Sequence, residues 1–293
     1  MHVSDWLDAN VFLFALALFL FVAVGGPFLV SRYVPLEARR RHNDLLIAAS
    51  SIVGVVNAVL LAFIVFAAWT TYDRAKEAVN HEADAVSSIV RDLDDTLGVA
   101  SAEAHEGIVT PLRTYVDQVI TREWPTMAQG LVLETDATGR RAYRGMDQGG
   151  PLLRKAYASA LLALNAPGIT PAQKLIGEKA VATFGQLYDA RRDRIGFAAH
   201  GSLSDLVWIV VLIGGLTTVA SCALYGFENR MMHYGTTALV ALCFALVFYL
   251  ILCLDSPFRG AARLGPDDFE RAQRSLNNRE IAERLRAATP KAQ

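Results

Sequence analysis

The sequence predicts an all-α membrane protein, with four transmembrane helices in two hairpins and a large helical bundle inserted between helices two and three. Four apolar runs support this prediction, because a helix needs about 20 residues to cross a bilayer and none of these runs contains Asp, Glu, Lys or Arg. The runs are Val11–Val30, Leu46–Trp69, Leu206–Gly226 and Gly235–Leu254. The composition agrees, since 53% of residues are hydrophobic and only 19% are charged.

The spacing of the four runs divides the chain into four predicted regions. Residues 1–69 form the first transmembrane hairpin and residues 70–205 an extramembrane helical domain. Residues 206–254 form the second hairpin, and residues 255–293 an amphipathic helical tail. No basic segment precedes the first run and no small-residue cleavage pattern lies before Gly25-Gly26-Pro27, so we expect a retained span rather than a signal peptide.

The inserted domain is predicted to be helical throughout. Apolar residues continue at helical spacing after the second run, which predicts one long helix with Glu82 on its charged, solvent-facing side. A second helix is expected to end at Trp124-Pro125, since a proline disfavours helix at the residue before it. Residues 130–150 are rich in turn formers and are predicted to be a loop. Two more helices are predicted over residues 151–166 and 170–194, the last with a Thr170 cap.

The second apolar run carries a stripe of small and polar residues, which includes Ser50, Gly54 and Asn57. Residues three or four apart share one face of a helix, so this stripe must face protein or water rather than lipid. Close packing with interhelical hydrogen bonds is one interpretation. The other is a pore lined by these residues and narrowed by an apolar constriction at Phe63 or Phe66.

The fourth run ends in a boundary motif whose residues are Asp255, Pro257, Phe258, Arg259 and Gly260. The proline stops the helix. Three roles fit the carboxylate: an ion pair with the nearby arginine, a cap on an adjacent helix, or a place in an ion path.

Signatures of catalysis and of metal or nucleic-acid binding are missing from the sequence. The zinc-protease pattern that begins at His81-Glu82 needs a second histidine at position 85, where the chain has Ala85. No phosphate-binding glycine loop and no nucleophile elbow is present. The inserted domain balances acidic and basic residues, so it lacks the positive field that attracts nucleic acid. We therefore expect no enzyme activity, no cofactor, no bound metal and no nucleic-acid partner.

Short motifs over most of the chain resemble those of the bestrophin-like membrane proteins of bacteria. They are Val53-Gly54 through Ala62-Phe63, Trp69, Tyr72, Ala75, Glu82-Ala83, Tyr115-Val116, Glu123-Trp124-Pro125 and Asp255 through Gly260. Among them, Tyr72, Glu82 and Trp124 are the candidate functional residues of the helical domain. Trp124 is expected either at the membrane surface or in the domain core.

Bestrophins are pentameric anion channels in which the second helix lines a pore with an apolar neck and the helical domain lies in the cytoplasm. The resemblance implies a homo-oligomeric, multi-pass protein of the bacterial inner membrane, whose partners are the lipid bilayer, further copies and small inorganic anions. The alternative is a non-conducting scaffold or sensor whose helical domain binds a partner. Basic residues lie near the spans on both sides of the membrane. More of them lie on the side of residues 70–205, which favours a position of this domain inside the cell.

Overall fold

The computed structural model describes residues 3–96, 102–131, 133–135, 141–146, 148–165, 169–199, 201 and 203–288. Its helices are α1 (Val3–Tyr33), α2 (Leu36–Arg41), α3 (Asn43–Thr96), α4 (Ala102–Gln118), a π-helical turn (Val119–Glu123), α5 (Trp124–Gln129), α6 (Gly149–Leu164), α7 (Pro171–Ala199), α8 (Asp205–Cys222), α9 (Arg230–Asp255) and α10 (Asp267–Ala288). Strands β1 (Leu133–Thr135) and β2 (Arg141–Tyr143) form one antiparallel pair, with Leu133 opposite Tyr143.

Within the described residues, four helices are long and apolar enough to cross a membrane, over Asn10–Tyr33, Asn43–Leu93, Asp205–Cys222 and Arg230–Asp255. The predicted fold class, an all-α membrane protein with four transmembrane helices, is therefore confirmed. The long helix predicted to run on from the second span is also confirmed, since α3 is continuous over 54 residues.

The chain forms two compact units. The first unit contains residues Met1–Tyr72 and Gly201–Ala262, and the second contains Asp73–His200 and Arg263–Gln293. Helix α3 begins in the first unit and ends in the second, which also includes α10.

In the first unit, α1, α8 and α9 pack around a core that includes Phe19, Val219 and Ile251, each almost fully buried. Small residues let these helices approach closely. A Cβ atom on Gly215 would lie 2.9 Å from the ring of Phe19, so no larger residue fits there without movement. Helix α3 joins this core through Leu61.

In the second unit, the apolar stripe of α3 packs into a core shared with the surrounding helices. Ile89 of α3, Leu112 of α4, Leu153 of α6 and Leu187 of α7 are fully buried. Helix α10 contributes the buried Phe269, whose ring meets that of Trp124 edge-on at a centroid distance of 5.8 Å. The apolar stripe predicted for the tail thus begins in this core.

The helix end predicted at Trp124-Pro125 is wrong, because the chain stays helical through the π-helical turn and α5. Pro125 is the second residue of α5, which directly follows the π-helical turn. In the π-helical turn before it, the backbone N–H of Trp124 donates to the carbonyl of Val119, five residues earlier instead of four, which shifts the hydrogen-bond pattern of the helix ahead of the proline. Helix α5 ends instead at Gln129, and the next residue, Gly130, has a φ of 96°, a conformation that favours glycine.

The loop predicted over residues 130–150 contains the β1–β2 pair. Strands of three residues are too short to show the alternation of polar and apolar residues that predicts a strand. The cap predicted at Thr170 is confirmed. Its Oγ1 accepts a hydrogen bond from the backbone N–H of Gln173 at 3.3 Å, and the Gln173 side chain accepts one from the Thr170 N–H at 3.0 Å. This reciprocal capping box fixes the start of α7.

Candidate functional site in the second transmembrane helix and the buried charge network

The amide of Asn57 is held between α3 and α8. Its side chain is only 7% exposed, and Nδ2 donates a hydrogen bond to Oγ1 of Thr218 at 2.8 Å. The Thr218 hydroxyl in turn donates to the carbonyl of Gly214 at 3.0 Å. A Cβ atom on Gly214 would collide with Oδ1 of Asn57, so the glycine makes room for the amide. These are the contacts that the packing interpretation of the polar stripe requires.

Phe63 and Phe66, the predicted constriction residues, lie on the side of α3 that faces away from Asn57. Phe63 and Phe66 are each 69% exposed within the chain, whereas Ser50 and Gly54 are half-buried on the side of Asn57. Position 66 is nine residues from Asn57, which is two and a half turns at about 3.6 residues per turn, so the two side chains point in opposite directions. One helix therefore presents a polar stripe to α8 and an aromatic face away from it. Pore lining by any of the five residues stays a prediction.

The hydrogen bond between Asn57 and Thr218 gives a testable coupling. We expect Asn57→Ala and Thr218→Val to lower thermal stability in detergent, with a coupling of about 0.6 kcal/mol, typical of interhelical hydrogen bonds in membranes. Asn57→Leu should cost more, about 1–3 kcal/mol, because its branched side chain meets α8 at Gly214. Unfolding midpoints of the single and double variants measure this. Strictly additive effects would contradict the observed contact.

The boundary motif stabilises the start of α8. Oδ1 of Asp255 accepts a hydrogen bond from the backbone N–H of Leu203 at 2.8 Å, just before α8 begins. A Cβ on Gly201 would lie 2.7 Å from Oδ2 of the same carboxylate. Of the three predicted roles, the cap on an adjacent helix has this direct contact.

The rest of the motif forms a buried turn. Pro257 and Phe258 are buried, and the backbone N–H of Arg259 donates to the Ser256 carbonyl at 3.0 Å. Gly260 has a φ of 75°, a conformation that other residues rarely adopt.

Tyr72, a candidate of the helical domain, belongs to the first unit instead. Its hydroxyl donates a hydrogen bond to the carbonyl of Ala262 at 2.8 Å. This bond ties α3 to the segment that follows the boundary motif.

The second unit contains a network of four buried charges. Arg194 is fully buried and donates from Nε to Oε2 of Glu82 at 2.6 Å and from Nη2 to Oε2 of Glu123 at 2.7 Å. Arg191 donates to both oxygens of Glu123, at 2.9 and 3.0 Å. Two carboxylates and two guanidinium groups thus balance each other in a site closed to solvent, where the desolvation cost demands such pairing.

A tyrosine and a backbone carbonyl complete the polar part of this network. The Tyr115 hydroxyl donates to Glu82 and accepts a hydrogen bond from Nη1 of Arg191 at 3.2 Å. Nη2 of Arg191 also donates to the Met146 carbonyl at 2.9 Å. Burial, and secondarily the Glu82 carboxylate, raise the pKa of Tyr115 above its usual range, so the tyrosine remains a donor.

Aromatic rings enclose the Arg194 guanidinium. Its carbon lies 5.9 Å from the ring centroid of Trp124 and 5.6 Å from that of Phe269, within cation–π range. Trp124 is 7% exposed, and its Nε1 donates to the Leu264 carbonyl at 3.1 Å. Of the two locations open for Trp124, the structure places it in the core of the domain.

The predicted solvent-facing position of Glu82 is wrong, because its carboxylate is fully buried. Glu82 lies three residues after Val79 and four before Val86, so it is part of the apolar stripe, and Arg194 compensates its charge. Sequence reasoning missed the two arginines. Their signal was their spacing, since Arg191 and Arg194 follow the buried Leu187 by four and seven residues on one helix face.

The buried network makes the stability of the folded protein depend on pH in the acidic range. Burial by itself would raise the pKa of Glu123, but Arg194 and Arg191 outweigh it and hold the pKa below the usual 4.5. The folded carboxylate therefore binds its proton less readily than the unfolded one, and its contribution to stability is lost as the pH falls below 4.5 through the folded pKa. We expect thermal unfolding midpoints to drop over this range.

Glu123→Gln removes this titration and should show a shallower decline below pH 4.5 than the wild type, from a lower starting stability. Glu134→Gln is the matched control, since Glu134 pairs with Arg144 at the surface. An undiminished acid-induced drop in Glu123→Gln would assign the effect to other groups.

Comparison with known proteins agrees with this architecture. The model of the bestrophin-like domain matches residues 17–269. No curated protein matches the chain.

Solved structures with the same fold include a bacterial bestrophin homologue. A bacterial bestrophin homologue from Klebsiella pneumoniae, solved by zinc-based phasing, aligns with a TM-score of 0.66 at 15% identity, over 91% of this chain and 97% of that one. A variant of that homologue aligns with a TM-score of 0.67 at 16% identity, over 90% and 97%. A structure described as a membrane protein variant aligns at 0.62 and 18% identity, over 91% and 97%.

The family model covers most of the chain, including all four membrane-spanning helices in whole or large part and the helical domain between them. The chain is therefore an integral membrane protein that belongs to the bestrophin-like family.

Proposed function

We propose that the protein is a homo-oligomeric channel for small anions in the bacterial inner membrane, with α3 of each copy lining the pathway. The observation that carries this proposal is the aromatic face of α3, formed by Phe63 and Phe66, which the rest of the chain leaves exposed. Membership of the bestrophin-like family supports it as well.

Helix α3 is poorly covered by its own chain. In the most apolar 18-residue stretch of α3, only 11% of the residues are buried, whereas 39% are buried in the corresponding stretch of α9. Its polar stripe is already used against α8 through Asn57. The aromatic face is then available either to lipid or to equivalent helices of further copies.

A ring of copies with this face inward would form a hydrophobic constriction. Rings of apolar side chains control ion flow by excluding water until the pore widens. One copy alone has too few polar residues in its spans to enclose a water-filled path, so the proposal requires an oligomer.

The four apolar runs contain no acidic residue that would exclude anions. Cation channels use rings of Asp or Glu at their pores, and residues 46–69 contain neither. No carboxylate in this segment would repel chloride. We place residues 70–205 in the cytoplasm on the larger number of basic residues near that side of the spans.

Two measurements on the purified protein test the proposal. Detergent sizing with mass measurement should give a closed oligomer, and planar bilayers under asymmetric chloride should give single-channel steps that reverse near the chloride potential. A monomer, or a folded oligomer that is silent across voltage and pH, would favour the scaffold or sensor and direct attention to partners of the helical domain.

A further inference from the structure

A small cavity of about 200 Å³ lies in the first unit, between the end of α1, helix α2 and the start of α9. Its polar lining comes from Ser31, Arg39, Glu228, Arg230, His233 and Tyr234. Sites for drug-sized ligands span about 300–1,000 Å³, so only a small group fits here. None of these residues takes part in the proposed pore face.

Arg39 is the central feature of this cavity. Its side chain is buried, with 8% exposure, and Nη1 donates to the Tyr225 carbonyl at 3.3 Å. Among the residues that the structure describes, the buried Nε has no hydrogen-bond partner. A buried donor on a charged group that lacks a protein partner is costly, so an oxygen acceptor at this position would stabilise the guanidinium.

The surroundings of Arg39 favour a negative ligand. Arg230 adds a second positive charge and begins α9, whose amino end carries the positive pole of the helix dipole. The carboxylate of Glu228 opposes this, but it is paired with Arg40. Nε2 of His233 lies 3.0 Å from the carbonyl oxygen of Cys222. Because a carbonyl oxygen can only accept a hydrogen bond, Nε2 is the ring nitrogen that carries the proton.

The geometry points to an oxyanion-binding site at Arg39 and Arg230, for a phosphate-sized group. A guanidinium presents Nε and Nη donors in one plane, which match two oxygens of a phosphate or carboxylate. The group can come from free inorganic phosphate or from a phospholipid headgroup, since both offer the same oxygens. The site does not depend on whether the protein conducts.

The first experiment measures thermal unfolding of the delipidated wild-type protein in detergent during titration with inorganic phosphate at constant ionic strength. Binding to the folded state should raise the midpoint with phosphate concentration. Arg230→Gln, at an exposed position that should fold normally, and Arg39→Gln should weaken binding by on the order of tenfold. Glu228→Gln should strengthen it, because a negative charge is removed from the cavity.

Arg41→Gln is the matched control, since Arg41 lies on the same short helix but does not line the cavity. It should bind phosphate as the wild type does. If Arg41→Gln weakens binding as much as Arg230→Gln, the effect is general surface charge and the proposal is wrong.

The second arm distinguishes the lipid source. Native mass spectrometry after incubation with phosphatidylglycerol should show retained lipid in the wild type and loss in Arg230→Gln, if the headgroup is the ligand. Phosphate-dependent stabilisation without lipid retention identifies a free oxyanion. If phosphate does not raise the unfolding midpoint and lipid retention does not depend on Arg230, the proposed site is wrong.

Discussion

Replacing Arg194 by methionine is expected to lower the free energy of unfolding by about 3–5 kcal/mol, the usual cost of removing one partner from a buried ion pair. The substitution leaves the Glu82 carboxylate buried without its guanidinium partner, and Glu123 loses one of two arginines. The aromatic enclosure by Trp124 and Phe269 would then surround an uncharged side chain. Chemical denaturation of the purified protein, followed by circular dichroism, measures the loss.

Arg192→Met is the matched control two residues away. Arg192 pairs with Asp189 at the surface, where both side chains are mostly exposed, and such pairs contribute about 0–1 kcal/mol. Combining Glu82→Gln with Arg194→Met should recover part of the loss, because the uncompensated charge disappears. Equal effects of the substitutions at 192 and 194 would show that the buried network does not stabilise the domain.

Replacing Phe63 and Phe66 together by alanine is expected to increase chloride current severalfold, if the aromatic face of α3 forms the constriction of the proposed channel. Two smaller side chains per copy widen the ring and lower the cost of keeping it filled with water. Single-channel conductance and open probability in planar bilayers, measured on the same preparation, separate the two contributions.

Phe21→Ala provides the control for this experiment. Phe21 lies on α1 and is 73% exposed within the chain, so it presents a comparable phenylalanine on another membrane helix. Its truncation should leave the current unchanged. An unchanged current in the double variant, with the oligomer intact, would remove Phe63 and Phe66 from the pathway and leave them facing lipid or a packed interface.

The membrane architecture was predictable from local features of the sequence. Long uncharged runs become helices in lipid because every backbone polar group must be satisfied within the segment. The continuation of α3 past residue 70 followed from its apolar spacing, and the start of α7 from Thr170 as a cap followed by Pro171. Each of these features is local in the sequence, so it could be predicted without knowing which distant residues are in contact.

The helix faces and the buried charges depended on long-range contacts. The polar stripe of α3 showed that Asn57 needed a partner, but only the fold brought Thr218 to it from 161 residues away. Glu82 looked like a surface charge until Arg194, 112 residues further along the chain, was found against it. Periodicity reports which residues share a face, whereas the partner that compensates a buried amide or carboxylate is chosen by tertiary packing.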